Sequence, residues 1–302
     1  MPLVITCAQT DDIVMLSLRP GNATASRGAD DDLEYLVTRL RAVWPNVQIR
    51  VRGDWGFGVP MMHELCDRLN IISTFGQSAN AVLQRETADL LAEAVDRWDQ
   101  THEPQRLFTG FWYQAGTWSQ PRWVIAKCEA NAPGTNRRFI TTNRPGASQY
   151  GEATYDEYAM RGESENRNKE FKRGMAMDRL SDHRVVANVF RLYLHAAALN
   201  LMVRLRREIA DPPESPPSEL PLEALPEPSR KQYQNARRRV DPLGEGHPAT
   251  WRMLVIKVAA EVVVSCRRIV IRVSGSWPHR VWWDRVLQHV VDRPCVAHLW
   301  TG

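Results

Sequence analysis

The sequence predicts a mixed α/β fold with a parallel section in its sheet and a β-rich insertion. Two observations lead to this class. From Asp30 to Trp98, segments of helical spacing alternate with short apolar runs, and strand–helix–strand–helix order brings strands together in parallel. From Leu107 to Asn143, aromatic residues alternate with small and polar residues around a Pro133-Gly134 turn, which is typical of a hairpin.

The first part of the chain contains two strands followed by alternating helices and strands. Leu33, Leu36 and Leu40 recur at helical spacing, whereas Ile49 and Val51 alternate with polar residues as in a strand. The predicted order is strand Leu3–Cys7, strand Ile13–Leu18, helix Asp30–Trp44, strand Val47–Gly53, helix Met61–Leu69, strand Ile71–Phe75 and helix Ala79–Trp98.

The β-rich insertion is predicted to contain the hairpin strands Trp123–Cys128 and Arg138–Thr142. Its tryptophans, among them Trp112, Trp118 and Trp123, have two interpretations. They pack in the core, as buried aromatic residues usually do. Alternatively, one of them stacks on an unpaired nucleic-acid base.

The second half begins with a charged helix, Tyr155–Lys172, that contains no proline. The apolar segment Val185–Ile209 is interrupted by polar residues, so we expect a buried helix and no membrane span. Nine prolines between residues 210 and 249 predict a linker. Strands between Trp251 and Val273 and a Trp-containing terminal helix follow.

Composition limits the class of protein. A net charge of +4 is compatible with nucleic acid and does not demand it. The five cysteines are scattered and form no C-x-x-C pair, so we expect no zinc site and a reducing compartment. The first residues lack a basic segment typical of a signal peptide. We therefore expect a soluble, cytoplasmic protein without a membrane partner.

Four residues of different chemistry occur at fixed spacing in the charged helix: Tyr158, Arg161, Glu165 and Lys172. On one continuous helix they lie within about 60° of each other and form one stripe. A solvated face with ordinary ion pairs is the simpler interpretation of a charged helix.

An aspartate follows the strand Val47–Gly53 directly, and glycines stand on both sides of it. Gly53 and Gly56 bracket Asp54 at the carboxyl end of this strand, where open α/β sheets bind their ligands. Asp54 is therefore a candidate for a functional carboxylate.

Three segments together resemble the insertion-sequence DDE transposases with a Y-R-E-K signature. They are Leu18–Asn22, the Arg-Gly-Asp-x-Gly-Phe segment at 52–57 and the helix with Tyr158, Arg161, Glu165 and Lys172, in this order. The resemblance extends from the first residues to about Ser274, with gaps in the Pro-rich part.

The resemblance implies metal-dependent DNA strand cleavage and transfer at transposon ends. Asp54 and Glu165 would be catalytic and would hold two Mg²⁺ or Mn²⁺ ions, for which carboxylate oxygens are suitable ligands. Arg161 and Lys172 would bind DNA phosphates, and Tyr158 would position a phosphate. The partners would be the terminal inverted repeats, the target DNA and a second copy of the chain in a homodimer.

The resemblance also implies an RNase H-like sheet whose first strand carries a third carboxylate. That strand precedes the pair with which this sequence begins, so we expect a C-terminal portion of a transposase that is inactive alone. Asp11 and Asp12 are alternative candidates, but they lie in the predicted turn between two strands.

The predicted organisation has five parts: core residues 1–106, the β-rich insertion 107–150, core residues 151–209, the linker 210–249 and the C-terminal part 250–302. Two other functions stay open. In the first, the chain is a non-catalytic DNA-binding remnant that inhibits intact transposase. In the second, it is a metal-dependent nuclease that uses Asp54, Glu163 and Glu165. On a helical wheel Glu163 lies about 140° from Tyr158, on the face away from Glu165. This position disfavours the nuclease.

Overall fold

The structure is a computed structural model that describes residues 2–209 and 248–291. The chain divides into two compact units. Of the described residues, the first unit contains 2–5 and 14–163, and the second contains 6–13, 164–209 and 248–291.

The first unit contains seven strands and five helices among its described residues. Its strands are β1 Pro2–Thr6, β2 Ile13–Leu18, β3 Arg50–Gly53, β4 Ile72–Gln77, β5 Gln105–Tyr113, β6 Arg122–Asn131 and β7 Gly134–Thr142, with the ends of β1 and β2 reaching into residues 6–13. Its helices are α1 Ala29–Val43, α2 Pro60–Arg68, α3 Ala81–Glu86, α4 Ala88–Thr101 and α5 Gly151–Ala159.

A mixed five-stranded sheet with the order β3-β4-β7-β6-β5 forms the frame of this unit, and β1 and β2 pair separately. Strands β3 and β4 are parallel, with Arg50 opposite Ile72, whereas β4–β7, β7–β6 and β6–β5 are antiparallel. The predicted mixed α/β class, its parallel section and its hairpin are thereby confirmed. Strands β5–β7 continue the same sheet that contains β3 and β4.

Apolar residues cover both faces of the sheet. Val124 and Phe139 pack with Leu83 of α3 on one face, whereas Ile125 and Ile140 pack with Tyr155 of α5 on the other. A further core joins β1, α1, α2, β3 and β4; its buried members include Leu3, Leu33, Val37, Met62, Leu65, Ile71 and Phe75. Strands β1 and β3 thus contribute to one core, although no pairing between described strands joins their two sheets.

The predicted helix Ala79–Trp98 is two helices. Asn80 caps α3 by accepting hydrogen bonds from the backbone N–H groups of Val82 and Leu83, at 3.0 Å each. Thr87 ends α3, and its hydroxyl donates to the carbonyl of Leu83 at 2.8 Å. Such side-chain bonds to the backbone compete with helix continuation.

The prediction of one continuous helix over Tyr155–Lys172 is also wrong. Helix α5 ends at Ala159, Met160 and Arg161 form a turn, and α6 spans Gly162–Lys169 before a π-helical turn, Glu170–Gly174. The N–H of Arg161 donates to the carbonyl of Tyr158 at 2.8 Å, three residues back. The carbonyl of Glu157, which a continuous α-helix would pair with that N–H, instead accepts a hydrogen bond from the guanidinium of Arg52.

The second unit contains α7 Val185–Ile209, α8 Pro248–Trp251, a π-helical turn Arg252–Ile256, strands β8 Ala260–Ser265 and β9 Arg268–Val273, and α9 Arg280–Val291. Strands β8 and β9 form an antiparallel ribbon. The C-terminal strands and the terminal helix are as predicted. The predicted linker lies almost wholly outside the described residues, and the five predicted domain boundaries stay predictions.

Helix α7 is less buried than predicted. Among the described residues it is the one helix long and apolar enough to cross a membrane by length and composition, with a mean hydropathy of 1.3. Only 17% of that apolar window is buried inside the structure.

Candidate active site

Asp54 follows β3 directly and lies at the carboxyl end of the parallel strand pair. Its Oδ1 accepts a hydrogen bond from the N–H of Gly56 at 2.9 Å, and its carbonyl accepts from the N–H of Phe57 at 3.0 Å. A Cβ on Gly56 would lie 2.6 Å from the Cβ of Ala25, so the turn that fixes Asp54 requires glycine there. The carboxylate is held in place and is partly exposed.

The hydroxyl of Tyr158 lies against the neighbouring strand beside Asp54. A Cβ on Gly76 of β4 would be 2.6 Å from Tyr158 Oη, 2.8 Å from Trp55 N and 3.2 Å from the carbonyl carbon of Asp54. The missing side chain at Gly76 therefore lets α5 and the loop after β3 approach the same point of the sheet. Tyr158 and Asp54 are brought together, as the proposed site requires.

Arg161 completes this group within the first unit. Its guanidinium carbon lies 5.8 Å from the ring centroid of Tyr158. Burial raises the pKa of Tyr158, the positive charge of Arg161 and its hydrogen bond oppose the rise, and the negative charge of Asp54 adds to it. The Tyr158 hydroxyl therefore stays protonated at neutral pH and is able to donate a hydrogen bond.

Glu157 anchors the helix that carries Tyr158. Its Oε2 lies 2.5 Å from Arg144 Nη1 and 3.4 Å from Arg50 Nη1. Its carbonyl accepts from Arg52. Arg50 and Arg52 lie on β3, so this acidic residue ties α5 to the strand that precedes Asp54.

The other two residues of the proposed site, Glu165 and Lys172, belong to the second unit. Glu165 lies on α6 and is exposed. Lys172 lies in the π-helical turn, and its ammonium is 3.9 Å from Asp178 Oδ2. Both side chains are accessible, as a DNA contact or a metal ligand must be.

Asp11 and Asp12, the alternative carboxylates, face arginines of the second unit. Asp11 Oδ1 lies 3.8 Å from Arg167 Nε, and Asp12 Oδ1 lies 3.8 Å from Arg204 Nε. Arg167 also contacts Glu170 at 2.7 Å, and Glu170 contacts Arg206 at 3.3 Å. The charges of Asp11, Arg167, Glu170 and Arg206 form a buried, neutralised network, which favours a structural role for Asp11.

Hard oxygen ligands for a metal are present, but they are few. In the ranges 2–209 and 248–291, no group of three or more His, Cys, Asp or Glu side chains is arranged to hold a metal ion. The carboxylates of Asp54 and Glu165 are the ligand type that Mg²⁺ and Mn²⁺ accept. The donor chemistry therefore fits these ions.

The tryptophans of the insertion, together with Trp55 in the loop after β3, divide into two groups. Trp118 is 7% exposed and packs edge-on against His63, with 5.4 Å between ring centroids, so core packing accounts for it. Trp123 lies over Gly110, where an added Cβ would be 2.6 Å from the indole. Trp112 is 68% exposed and Trp55, beside Asp54, is 69% exposed. These two are available for base stacking.

Three residues of this site were not identified from the sequence. Glu157 and Gly76 act through residues more than seventy positions away in the chain, and no local pattern marks them. Trp55 could have been selected, because it directly follows the candidate carboxylate Asp54 in a loop, and loops often carry binding residues.

The geometry and the sequence pattern agree with one comparison. The family described as transposase DDE domain group 1 matches residues 1–215, more than two thirds of the chain. The chain belongs to this family of insertion-sequence DDE transposases. A comparison with curated protein sequences gives no significant match.

Proposed function

We propose that this transposase domain takes part in metal-dependent cleavage and transfer of DNA strands at transposon ends. The observation that carries the proposal is the group of Asp54, Tyr158 and Arg161 at the carboxyl end of β3. A carboxylate, a protonated hydroxyl and a guanidinium are what binding and positioning a phosphodiester require.

Each residue of the site has a distinct role in the proposal. Asp54 and Glu165 would each supply a carboxylate ligand to Mg²⁺ or Mn²⁺, and the metal would supply charge stabilisation and an activated nucleophile for phosphodiester chemistry. Arg161 and Lys172 bind backbone phosphates, and Tyr158 orients one phosphate through its hydroxyl. The exposed Trp112 and Trp55 offer stacking surfaces for an unpaired base at the DNA end.

The partners follow from the same chemistry. Terminal inverted repeats and target DNA supply the phosphates, and two copies of the chain act together, since a transposon has two ends. Cys7, Cys66, Cys128 and Cys266 are unpaired among the described residues, which suits the proposed cytoplasmic location.

The sheet supports an RNase H-like architecture that lacks one strand. Among the residues that the structure describes, β3 pairs only with β4 and β1 only with β2, although Leu3, Val51 and Phe75 belong to one core. A strand between β1 and β3 would join the two sheets and would bring a third carboxylate beside Asp54. Without it, we expect the chain to be inactive alone.

The proposal is tested by incubating the purified chain with transposon-end DNA and Mg²⁺ or Mn²⁺. We expect specific binding without cleavage, because two carboxylates hold a metal pair poorly. Cleavage that Asp54→Ala abolishes would show that the two carboxylates suffice. Cleavage of any DNA without preference for transposon ends would favour the nuclease.

A second function, inhibition of intact transposase by occupation of transposon ends, is favoured by one observation. Asp11 and Asp12, the alternative carboxylates nearest the start of the chain, face arginines. Adding the chain to an active related transposase discriminates this function. Inhibition that competes with end DNA supports it, and unchanged activity of the intact enzyme contradicts it.

A further inference from the structure

The segment Leu18–Asn22 is one of the three that resemble the transposases, and the site around Asp54 leaves it without a role. It begins at the last residue of β2 and turns the chain toward α1. Pro20 and Gly21 favour such a turn, but a turn does not require the arginine that precedes them. Arg19 therefore needs an explanation of its own.

The guanidinium of Arg19 holds the loop between β2 and α1 through three backbone carbonyls. One nitrogen, Nη1, donates to the carbonyls of Ala25 at 2.7 Å, Arg27 at 2.9 Å and Thr24 at 3.1 Å. Hydrogen bonds from a charged donor are stronger than those from a neutral one. The three carbonyl oxygens, called the carbonyl bowl below, surround one positive charge.

The backbone hydrogen bonds of the same loop are short-range. The N–H of Ala23 donates to the carbonyl of Pro20 at 3.1 Å. The N–H of Arg27 donates to the carbonyl of Thr24 at 3.3 Å. Each bond spans three residues and defines a local turn, whereas the bonds of Arg19 span five to eight residues and tie the loop to the end of β2.

The middle of this loop contacts the turn that holds the Asp54 carboxylate. A Cβ on Gly56 would be 2.6 Å from the Cβ of Ala25 and 3.1 Å from Asp54 Oδ1. Ala25 therefore packs directly against Gly56 beside the carboxylate, and Gly56 donates its N–H to that Oδ1 at 2.9 Å. Since Ala25 also accepts the shortest bond of Arg19, the guanidinium holds the residue that contacts the turn.

Closure of the loop is a simpler explanation for Arg19, but the ends of the loop are joined by another contact. The hydroxyl of Ser17 donates to Asp32 Oδ2 at 2.5 Å and ties β2 to the first turn of α1. Burial lowers the pKa of Arg19 and the negative charge of Asp32 opposes this, so the guanidinium stays charged at neutral pH. What Arg19 adds is the position of the middle of the loop.

We propose that Arg19 is a positioning residue for Asp54. It holds the middle of the loop, and through Ala25 the loop fixes the Gly56 turn and the direction of the Asp54 carboxylate. The inference deepens the proposed function and rests on it for what Asp54 binds. Because the order of the turn is measured without metal or DNA, failure of this inference is distinguishable from failure of the proposed function.

The first test measures amide hydrogen exchange of Gly56 in the full chain by NMR, without metal or DNA. We expect Arg19→Met to raise this rate roughly tenfold or more, because the loop loses three charge-assisted bonds and releases the turn. The amide of Ile140, a residue 0% exposed in the central strand β7, reports opening of the whole fold and should change less. An equal rise at both amides would mean that Arg19 serves overall stability alone, which contradicts the proposal.

Two further variants separate the carbonyl bowl from charge in general. Arg27→Met is the matched control, because it removes an exposed arginine from the same loop and leaves the carbonyl of residue 27 in place. We expect its Gly56 exchange to stay within about twofold of the parent. In Arg19→Lys the ammonium has three N–H donors for the three carbonyls, so we expect it to restore part of the protection. Equal exchange in Arg27→Met and Arg19→Met would overturn the role of the bowl.

A second test examines the contact through Ala25. Ala25→Gly keeps the carbonyl that Arg19 binds and removes the methyl group that lies against Gly56. We expect Gly56 to exchange roughly threefold faster or more, because the turn loses its packing partner. Exchange as slow as in the parent would show that the loop does not hold the turn, whatever the effect of Arg19→Met on folding.

Binding of Mn²⁺ relates the position of Asp54 to the proposed function. A paramagnetic Mn²⁺ bound by the Asp54 carboxylate broadens the NMR signal of the Gly56 amide. We expect Arg19→Met to need roughly fivefold more Mn²⁺ than the parent for equal broadening, because binding must then also order the turn. An equal Mn²⁺ requirement would contradict the positioning role. If the parent shows no broadening, the metal role of Asp54 is wrong, and the exchange rates alone decide the role of Arg19.

Discussion

At the scale of single residues, the close approach at Gly76 is the condition on which the candidate site depends. We expect Gly76→Ala to destabilise the fold by about 1–3 kcal/mol and to displace Tyr158, because the added Cβ overlaps the Tyr158 hydroxyl and the Trp55 backbone. Thermal unfolding and tyrosine fluorescence measure the two effects.

Gly116→Ala is the control for this substitution, since nothing lies within 4 Å of a Cβ at that position. Combining Gly76→Ala with Tyr158→Phe should restore part of the stability, since it removes one of the two overlaps. If Gly76→Ala unfolds like the parent, the close contact between α5 and β4 is absent in solution.

His63 predicts how the stability depends on pH. It is 1% exposed between the rings of Phe75 and Trp118, and burial, helped by the positive charge of Arg122 and opposed by Asp67, lowers its pKa from 6.5 to about 4. Between pH 6.5 and 4 the unfolded chain binds a proton at His63 that the folded chain does not. The free energy of unfolding therefore falls as the pH is lowered through this window.

The free energy of unfolding of the parent falls between pH 7 and pH 4, and about 3 kcal/mol of this fall is due to His63. We expect His63→Phe to remove this contribution. Denaturant unfolding of parent and variant across this range isolates the histidine, because the carboxylates contribute equally to both proteins. Identical pH dependence of the two proteins would show that His63 is protonated in the folded state as readily as in the unfolded chain.

At the scale of secondary structure elements, the anchoring of α5 to β3 is the feature that orients the site. We expect Glu157→Gln to lower the free energy of unfolding by about 1–3 kcal/mol, because Arg144, 8% exposed, loses its carboxylate partner. Chemical denaturation measures this effect.

Glu152→Gln is the matched control, five residues before Glu157 on the same helix. Its side chain is 61% exposed and its contact with Arg106 spans 3.4 Å, so we expect a change of less than about 0.5 kcal/mol. Equal effects of the two substitutions would contradict the anchoring role of Glu157.

Some of the secondary structure elements could be predicted from the sequence, and others could not. Periodicity located the strands around Asp54 and the hairpin, because their apolar positions alternate locally. The break after Ala159 was missed, since it depends on Arg52 taking the carbonyl of Glu157 from a distance of 105 residues. The resemblance to the transposases predicted Tyr158 and Arg161 as members of one site with Asp54, but the helical wheel assumed a continuous helix, which the turn at Met160 and Arg161 interrupts.

At the scale of the whole molecule, β1 and β3 each pair with a single strand among the described residues, which predicts a marginal stability. Exposed strand edges accept an additional strand or associate with another chain. We expect a peptide covering the first strand of a related transposase to raise the unfolding temperature of the chain. A scrambled peptide of equal composition serves as the control.

Size-exclusion chromatography with and without the peptide accompanies this measurement. Cooperative unfolding at the same temperature in both conditions would show that β1 and β3 do not accept the strand, and would argue against the RNase H-like completion of the sheet.

Arg161 and Lys172, the basic residues of the transposase pattern, are proposed to contact DNA phosphates. The most direct test of this central claim is the salt dependence of binding to transposon-end DNA for the parent, Arg161→Ala and Lys172→Ala, with Arg97→Ala, an exposed arginine on α4, as control. We expect each of the first two variants to reduce the slope of log K against log salt by about one, and the control to leave it unchanged. If both variants keep the slope of the parent, Arg161 and Lys172 are ordinary surface residues and the account of the site is wrong.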